Sequence, residues 1–88
     1  GEHAHKKCSQ FLYPLLGNFQ INILTKNLNK KLTISSTKNI GFLIKPKTWL
    51  KIKILSKSSI LMVVCNMKYD FSDYIEDITE FKKLIGLK

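Results

Sequence analysis

The sequence predicts a mostly β fold with one C-terminal α-helix. Two observations on the residues give its outline as a small antiparallel sandwich or barrel with a helix packed outside. Short apolar runs of four to eight residues, rich in β-branched and aromatic side chains, fill most of the chain between turn formers. Only the last stretch changes to helical spacing.

The runs are "QFLYPLLG", "NFQINIL", "KKLTIS", "IGFLIK", "WLKIKIL" and "SILMVVC". Gly17, the Thr25–Asn29 segment, Ser35–Asn39, Pro46 and Ser56–Ser59 separate them. Pro14 lies inside the first run, which argues for an edge, a bulge or a rim there, because proline cannot donate to a strand ladder. Phe19, Ile21 and Ile23 alternate with Gln20 and Asn22, and Leu50, Ile52 and Ile54 alternate with Lys51 and Lys53. Each of these strands should therefore bury one face. "SSILMVVC" is apolar on both faces and is expected to be a central strand. In "SDYIEDITEFKKLIG", Ile75, Ile78, Phe81, Leu84 and Ile85 recur at helical spacing, with Ser72 or Asp73 as cap, acids early, Lys82 and Lys83 late, and Gly86 to end it. The expected organisation is one domain over residues 1–88, with strands over about 3–66 and a helix over about 73–85.

Composition narrows the function classes. Eighty-eight residues hold a single core, and two cysteines, Cys8 and Cys65, are too few for a disulfide framework. They read as reduced thiols of a cytoplasmic protein. No apolar run approaches the roughly 20 residues of a membrane span. The net charge of +9 suits an anionic partner, yet all 15 basic residues are lysine and they are scattered from Lys6 to Lys88. That pattern reads as a solvated surface rather than as sequence-specific nucleic-acid contact, which relies on the arginine fork.

Both histidines stand at the start, in "GEHAHKKCSQ". On an extended segment His3 and His5 point to the same face. Alone, the pair admits three readings: metal ligands, acid/base groups, or surface residues of a tag-like terminus. Four residues separate His5 from Gln10 and six separate Gln10 from Gly17, which matches the first cupin motif, H-x-H-x(3,4)-E-x(6)-G, except that Gln stands for Glu.

More narrowly, "GEHAHKK", "QFLYPLLGNFQINI", "GFLIKPKTWL" and "YDFSDYIEDITEF", in that order, resemble the sugar-nucleotide 3,4-ketoisomerases, the WxcM-like cupins. The resemblance covers essentially the whole chain. It implies a cupin-type antiparallel jelly-roll barrel, incomplete at its N-terminus and with one C-terminal α-helix, that forms a homodimer, needs no metal or other cofactor and acts on a dTDP-4-keto-6-deoxyhexose, without nucleic acid or membrane as partner. It assigns His5 as the main base and His3 as its partner in moving protons. The same cavity would hold Gln10, within reach of a sugar hydroxyl, with Trp49 lining the sugar pocket and Leu50 at a position that in the family reaches the sugar. Gln10 reads equally as a satisfied strand residue, and a lone Trp on a strand also reads as packing. Tyr69 and Tyr74 are read as anchors of the turn into the helix, and Lys6 and Lys7 as solvent-facing. The donor set speaks against metal: a cupin ion takes two His, a Glu and a later His, and here the last two places hold Gln10 and Leu50.

Three departures follow from the same resemblance. The family has strands ahead of this motif that supply a Tyr and an Arg, and here the chain opens at Gly1-Glu2, which implies a fragment, a truncated gene product or a trimmed chain. Leu50 replaces a polar residue, and Lys45 stands where the family tends to have Pro. The leading reading is a 3,4-ketoisomerase of deoxyamino-sugar and polysaccharide biosynthesis. The alternatives are a catalytically inactive sugar-nucleotide-binding or dimerisation cupin, and a basic barrel on which Phe19, Phe42 and Trp49 stack against single-stranded nucleic acid.

Overall fold

The computed structural model describes residues 2–87. Eight strands run in the order β1 (Glu2–His5), β2 (Gln10–Leu16), β3 (Asn18–Leu24), β4 (Asn29–Ser35), β5 (Phe42–Ile44), β6 (Trp49–Ile54), β7 (Ile60–Cys65) and β8 (Tyr74–Ile75), and the helix α1 (Ile78–Ile85) closes the chain. All pairings are antiparallel, in a five-stranded sheet β4-β3-β6-β1-β8 and a three-stranded sheet β5-β2-β7.

The alternation read from the sequence decides which faces meet. Phe19, Ile21 and Ile23 lie opposite Ile54, Ile52 and Leu50, so the inward sides of β3 and β6 form one apolar surface. It closes against Leu12 and Ile44 of the smaller sheet, and Leu12, Phe19, Ile21, Ile34, Ile44 and Leu50 make the core between the sheets. Burying a side chain of this size contributes about 1.5–3 kcal/mol, which makes this cluster the main source of stability. Gly17 turns β2 into β3 with φ +89°, and Ser56 and Ser58 crowd the place of a Cβ, so a side chain there is excluded on both counts.

A second cluster lies on the outer face of the larger sheet, where α1 packs Phe81 and Ile85 onto Ala4, Trp49 and Ile75. The helix begins at Ile78, not near residue 73 as its spacing suggested, and the cap is Asp77, whose Oδ1 accepts from the Thr79 N–H at 2.8 Å. The reason lies upstream. Phe71–Asp73 form a 3₁₀ turn capped by Asp70, the Asp73 carboxylate is drawn inward, and Tyr74–Ile75 pair with His5 and Ala4 as a strand. Gly86, at φ +81°, ends the helix as expected, with the Leu87 N–H returning to the Lys82 carbonyl at 2.8 Å.

One strand assignment also changes. β7, expected at the centre of a sheet, is the edge of the smaller one, and Ile60, Met62, Val63 and Val64 are exposed. At Pro14 the expected bulge is present, although the strand is the central one, β2: Pro14 is buried, the register shifts between Pro14 and Leu16, and the missing N–H is accommodated there. Lys45 is exposed, so it leaves no buried charge.

Candidate functional site

The site grows from β1. The irregular Lys6–Ser9 segment leads out of this four-residue strand, and Lys47 N–H donates to the His5 carbonyl at 2.7 Å. His3 and His5 share the inward face, their rings edge-to-face with centroids 5.0 Å apart. Tyr74, paired with His5 across β1 and β8, packs on both, 5.6 Å from the His3 ring and 4.4 Å from that of His5.

Asp73 organises this corner. Its Oδ1 accepts from the Lys7 N–H at 2.8 Å, and its Oδ2 accepts from the Cys8 N–H at 3.2 Å and lies 3.0 Å from His5 Nδ1. Burial alone would push this carboxyl up, but the Lys7 N–H, the His5 ring and the Cys8 N–H outweigh it and hold the group below the ordinary carboxylate value. An ionised carboxylate only accepts, so His5 carries its proton on Nδ1 and leaves the lone pair on Nε2. That Nε2 is buried and meets no hydrogen-bond partner among the described residues. A histidine held this way is a base with one free position.

The second histidine is held differently. His3 Nε2 lies 3.3 Å from Gln10 Oε1, and Gln10 Nε2 donates to Cys65 Sγ at 3.8 Å. Burial, and then the charge that His5 carries when protonated, lower the His3 pKa, so His3 is neutral near pH 7. Burial and the neighbouring Cys65 keep Tyr74 protonated as a phenol, with its pKa raised. Beside these groups opens a cavity of about 290 Å³, lined by His5, Cys8, Cys65, Tyr69, Asp73 and Tyr74 among others.

His3 touches both His5 and Gln10, but of the three only His5 lines the cavity described above. Leu50 lies opposite His3 on the neighbouring strand and on the same face, but it is 1% exposed inside the apolar core. Trp49 is separated from them. It follows the alternation to the outer face, where its ring packs on Phe81 and its Nε1 donates to Glu2 Oε1 at 3.3 Å, so the expected sugar contact is replaced by packing under the helix. Phe19 and Trp49 are both buried, which removes the stacking platform a nucleic-acid reading required. Asp73 and Tyr74 were taken for a cap and a turn anchor. No local spacing betrays their partnership with His5, since the contact joins positions 68 residues apart. Two imidazoles, a committed amide and a leucine do not fit the divalent ion of a metal cupin.

The sequence matches the FdtA family, described as WxcM-like, C-terminal, over residues 1–86. The chain belongs to this family. A curated relative, the TDP-4-oxo-6-deoxy-α-D-glucose-3,4-oxoisomerase of Aneurinibacillus thermoaerophilus, is 33% identical over 86 residues; the match takes in 98% of this chain and 61% of that protein. A 3,4-ketoisomerase from Helicobacter canadensis superposes with a TM-score of 0.87 at 27% identity, over 96% of this chain and 62% of the other. A TDP-quinovose 3,4-ketoisomerase from Campylobacter jejuni gives 0.85 at 29%, over 94% and 63%. The cupin-like ketoisomerase fold is thereby established, and the chain spans about three fifths of these relatives.

The lowered pKa of His3 has a measurable consequence. Its unfolded value is 6.5, so neutral His3 contributes stability that is present above that pH and lost as pH falls through the lower folded value. A proton NMR titration of the two imidazoles is expected to give His3 a midpoint below 6.5, and a midpoint at or above it contradicts the burial and His5 charge described here.

Proposed function

We propose that this WxcM-like chain carries the proton-transfer site of a sugar-nucleotide 3,4-ketoisomerase, acting on a dTDP-4-keto-6-deoxyhexose. The observation that supports it most is the buried, partnerless Nε2 of His5, whose opposite nitrogen is anchored on Asp73. The names of the relatives supply the substrate class.

The chemistry is a carbonyl shift. The 4-keto group acidifies the C3 hydrogen; His5 Nε2 takes that proton and an enediol forms. Return of the proton at C4 leaves the ketone at C3. The oxygens must exchange a proton as well, and neutral His3, 5.0 Å from His5 between ring centroids, is placed to relay it. Asp73 stabilises the imidazolium that forms for a moment on His5, as a buried carboxylate does for any histidine base. Gln10 orients His3 and can exchange that bond for a sugar hydroxyl. The step consumes no electrons from outside and calls for no redox cofactor.

A 3-keto sugar suits transamination to a 3-amino sugar, which places the reaction in deoxysugar and polysaccharide biosynthesis. The two free thiols suit a reducing compartment, the cytoplasm, and among the described residues no helix is long and apolar enough to cross a membrane. A second copy is proposed as partner, because Phe11, Leu43, Met62 and Val64 leave an apolar face on the smaller sheet. Sedimentation equilibrium is expected to give twice the 10.2 kDa chain mass, and a monomer at micromolar concentration contradicts the dimer.

A second reading draws on Leu50. An apolar residue sealed in the core beside His3 offers the sugar no polar contact, as suits a protein that binds the nucleotide sugar without turning it over. Proton NMR of dTDP-4-keto-6-deoxyglucose with the protein in D₂O separates the two. The proposal expects loss of the C3 proton signal and growth of 3-keto product, with His5→Asn slowing both by about 10²-fold or more. Equal rates in that variant remove His5 from the mechanism. Binding without exchange by the unaltered protein supports the inactive reading.

A further inference from the structure

The wall of the cavity opposite Tyr74 holds two cysteines that the isomerase chemistry does not use. Cys65 pairs with Gln10 across β2 and β7, and Cys8 stands two residues before Gln10, on the far side of the mutual bonds between Ser9 and Asn66. Both thiols therefore line the cavity, along with His5 and Asp73. Ligand atoms of His5, Cys8 and Asp73 already lie within 4.8 Å of one another, and all three residues are buried. Neither thiol is tied into a disulfide.

The chemistry of this set is specific. Two sulfurs, one imidazole and one carboxylate are the donors that a soft or borderline d¹⁰ cation prefers, and four such donors satisfy a tetrahedral ion. His5 Nδ1 and Asp73 Oδ2 are 3.0 Å apart, close to the spacing of neighbouring ligands on one tetrahedral ion. Two of the donors are held in place, Asp73 by the Lys7 and Cys8 amides and His5 by β1. Cys65, paired with Gln10 at the end of the edge strand β7, brings the fourth donor to the same cavity.

From this arrangement we infer that Cys8, Cys65, Asp73 and Nδ1 of His5 form a binding site for a thiophilic divalent cation of the zinc and cadmium class, distinct from the two-His, Glu and later-His set of metal cupins. Coordination releases the two thiol protons to solvent and converts both sulfurs to thiolates. No electron changes hands. The ion takes His5 through Nδ1 and leaves the ring's proton on Nε2, so a protein loaded with it loses its free base, and the site acts as an inhibitory one. Only this last consequence rests on the proposed isomerase mechanism.

The test uses cadmium ion alone as probe, added to the metal-free protein, and reads the ultraviolet thiolate-to-cadmium charge-transfer band. One equivalent is expected to saturate the band, zinc is expected to displace it, and Cys65→Ser is expected to weaken binding at least tenfold with the fold intact, since that side chain is exposed. Cys8→Ser is expected to do the same. Absence of the band overturns the site, as does unchanged cadmium affinity in Cys65→Ser. Because the readout does not involve sugar turnover, an inactive protein that still binds cadmium would count against the isomerase reading and leave the metal site standing.

Discussion

The Asp73 carboxylate is the constraint on which the rest of the site depends. A buried carboxylate is costly unless donors surround it, and here the Lys7 and Cys8 amides and the His5 ring supply them. Those bonds tie the end of β1 to the segment just before the helix. They pull residues 71–75 out of a helical path, set Tyr74 against both imidazoles, and delay α1 until Asp77 can cap it. One interaction thus decides where the helix starts, which tautomer His5 adopts and what the cavity presents.

The barrel around this corner serves two ends. Between the sheets, Leu12, Phe19, Ile21, Ile34, Ile44 and Leu50 give a dry core, and on the outer face the helix covers Trp49, Ala4 and Ile75. β1 stands where these two regions meet, with Ala4 facing the helix and His3 and His5 facing inward. Period-two alternation alone puts one apolar residue on one side and two imidazoles on the other, so the same four-residue strand both anchors the fold and carries the site.

How far the sequence was legible follows from the range of each interaction. The alternation of β3 and β6, the end of the helix at Gly86 and the shared face of His3 and His5 are local patterns, and the structure agrees with each. The motif spacing that brought Gln10 to the histidines is nearly local as well, one strand away. The start of the helix was misplaced because Asp73 is as good a cap as Asp77 in isolation, and only a contact 68 residues away makes it something else. Trp49 was linked to the sugar pocket through a family likeness, while its own alternation with Leu50 already placed the two on opposite faces. β7 is apolar on both faces yet lies at an edge, because composition reports what a strand can bury and not which neighbours it has.

The central claim is that Asp73 fixes the proton of His5 on Nδ1 and frees Nε2. Long-range nitrogen–proton correlation NMR of the imidazole rings, recorded with neutral histidines, tests it most directly. A protonated Nδ1 and a bare Nε2 on His5 are expected, with His5 in Asp73→Asn shifting away from that tautomer. A His5 ring protonated on Nε2 in the unaltered protein would contradict the account, since the carboxylate would then hold no proton from His5 and the base would have no free position.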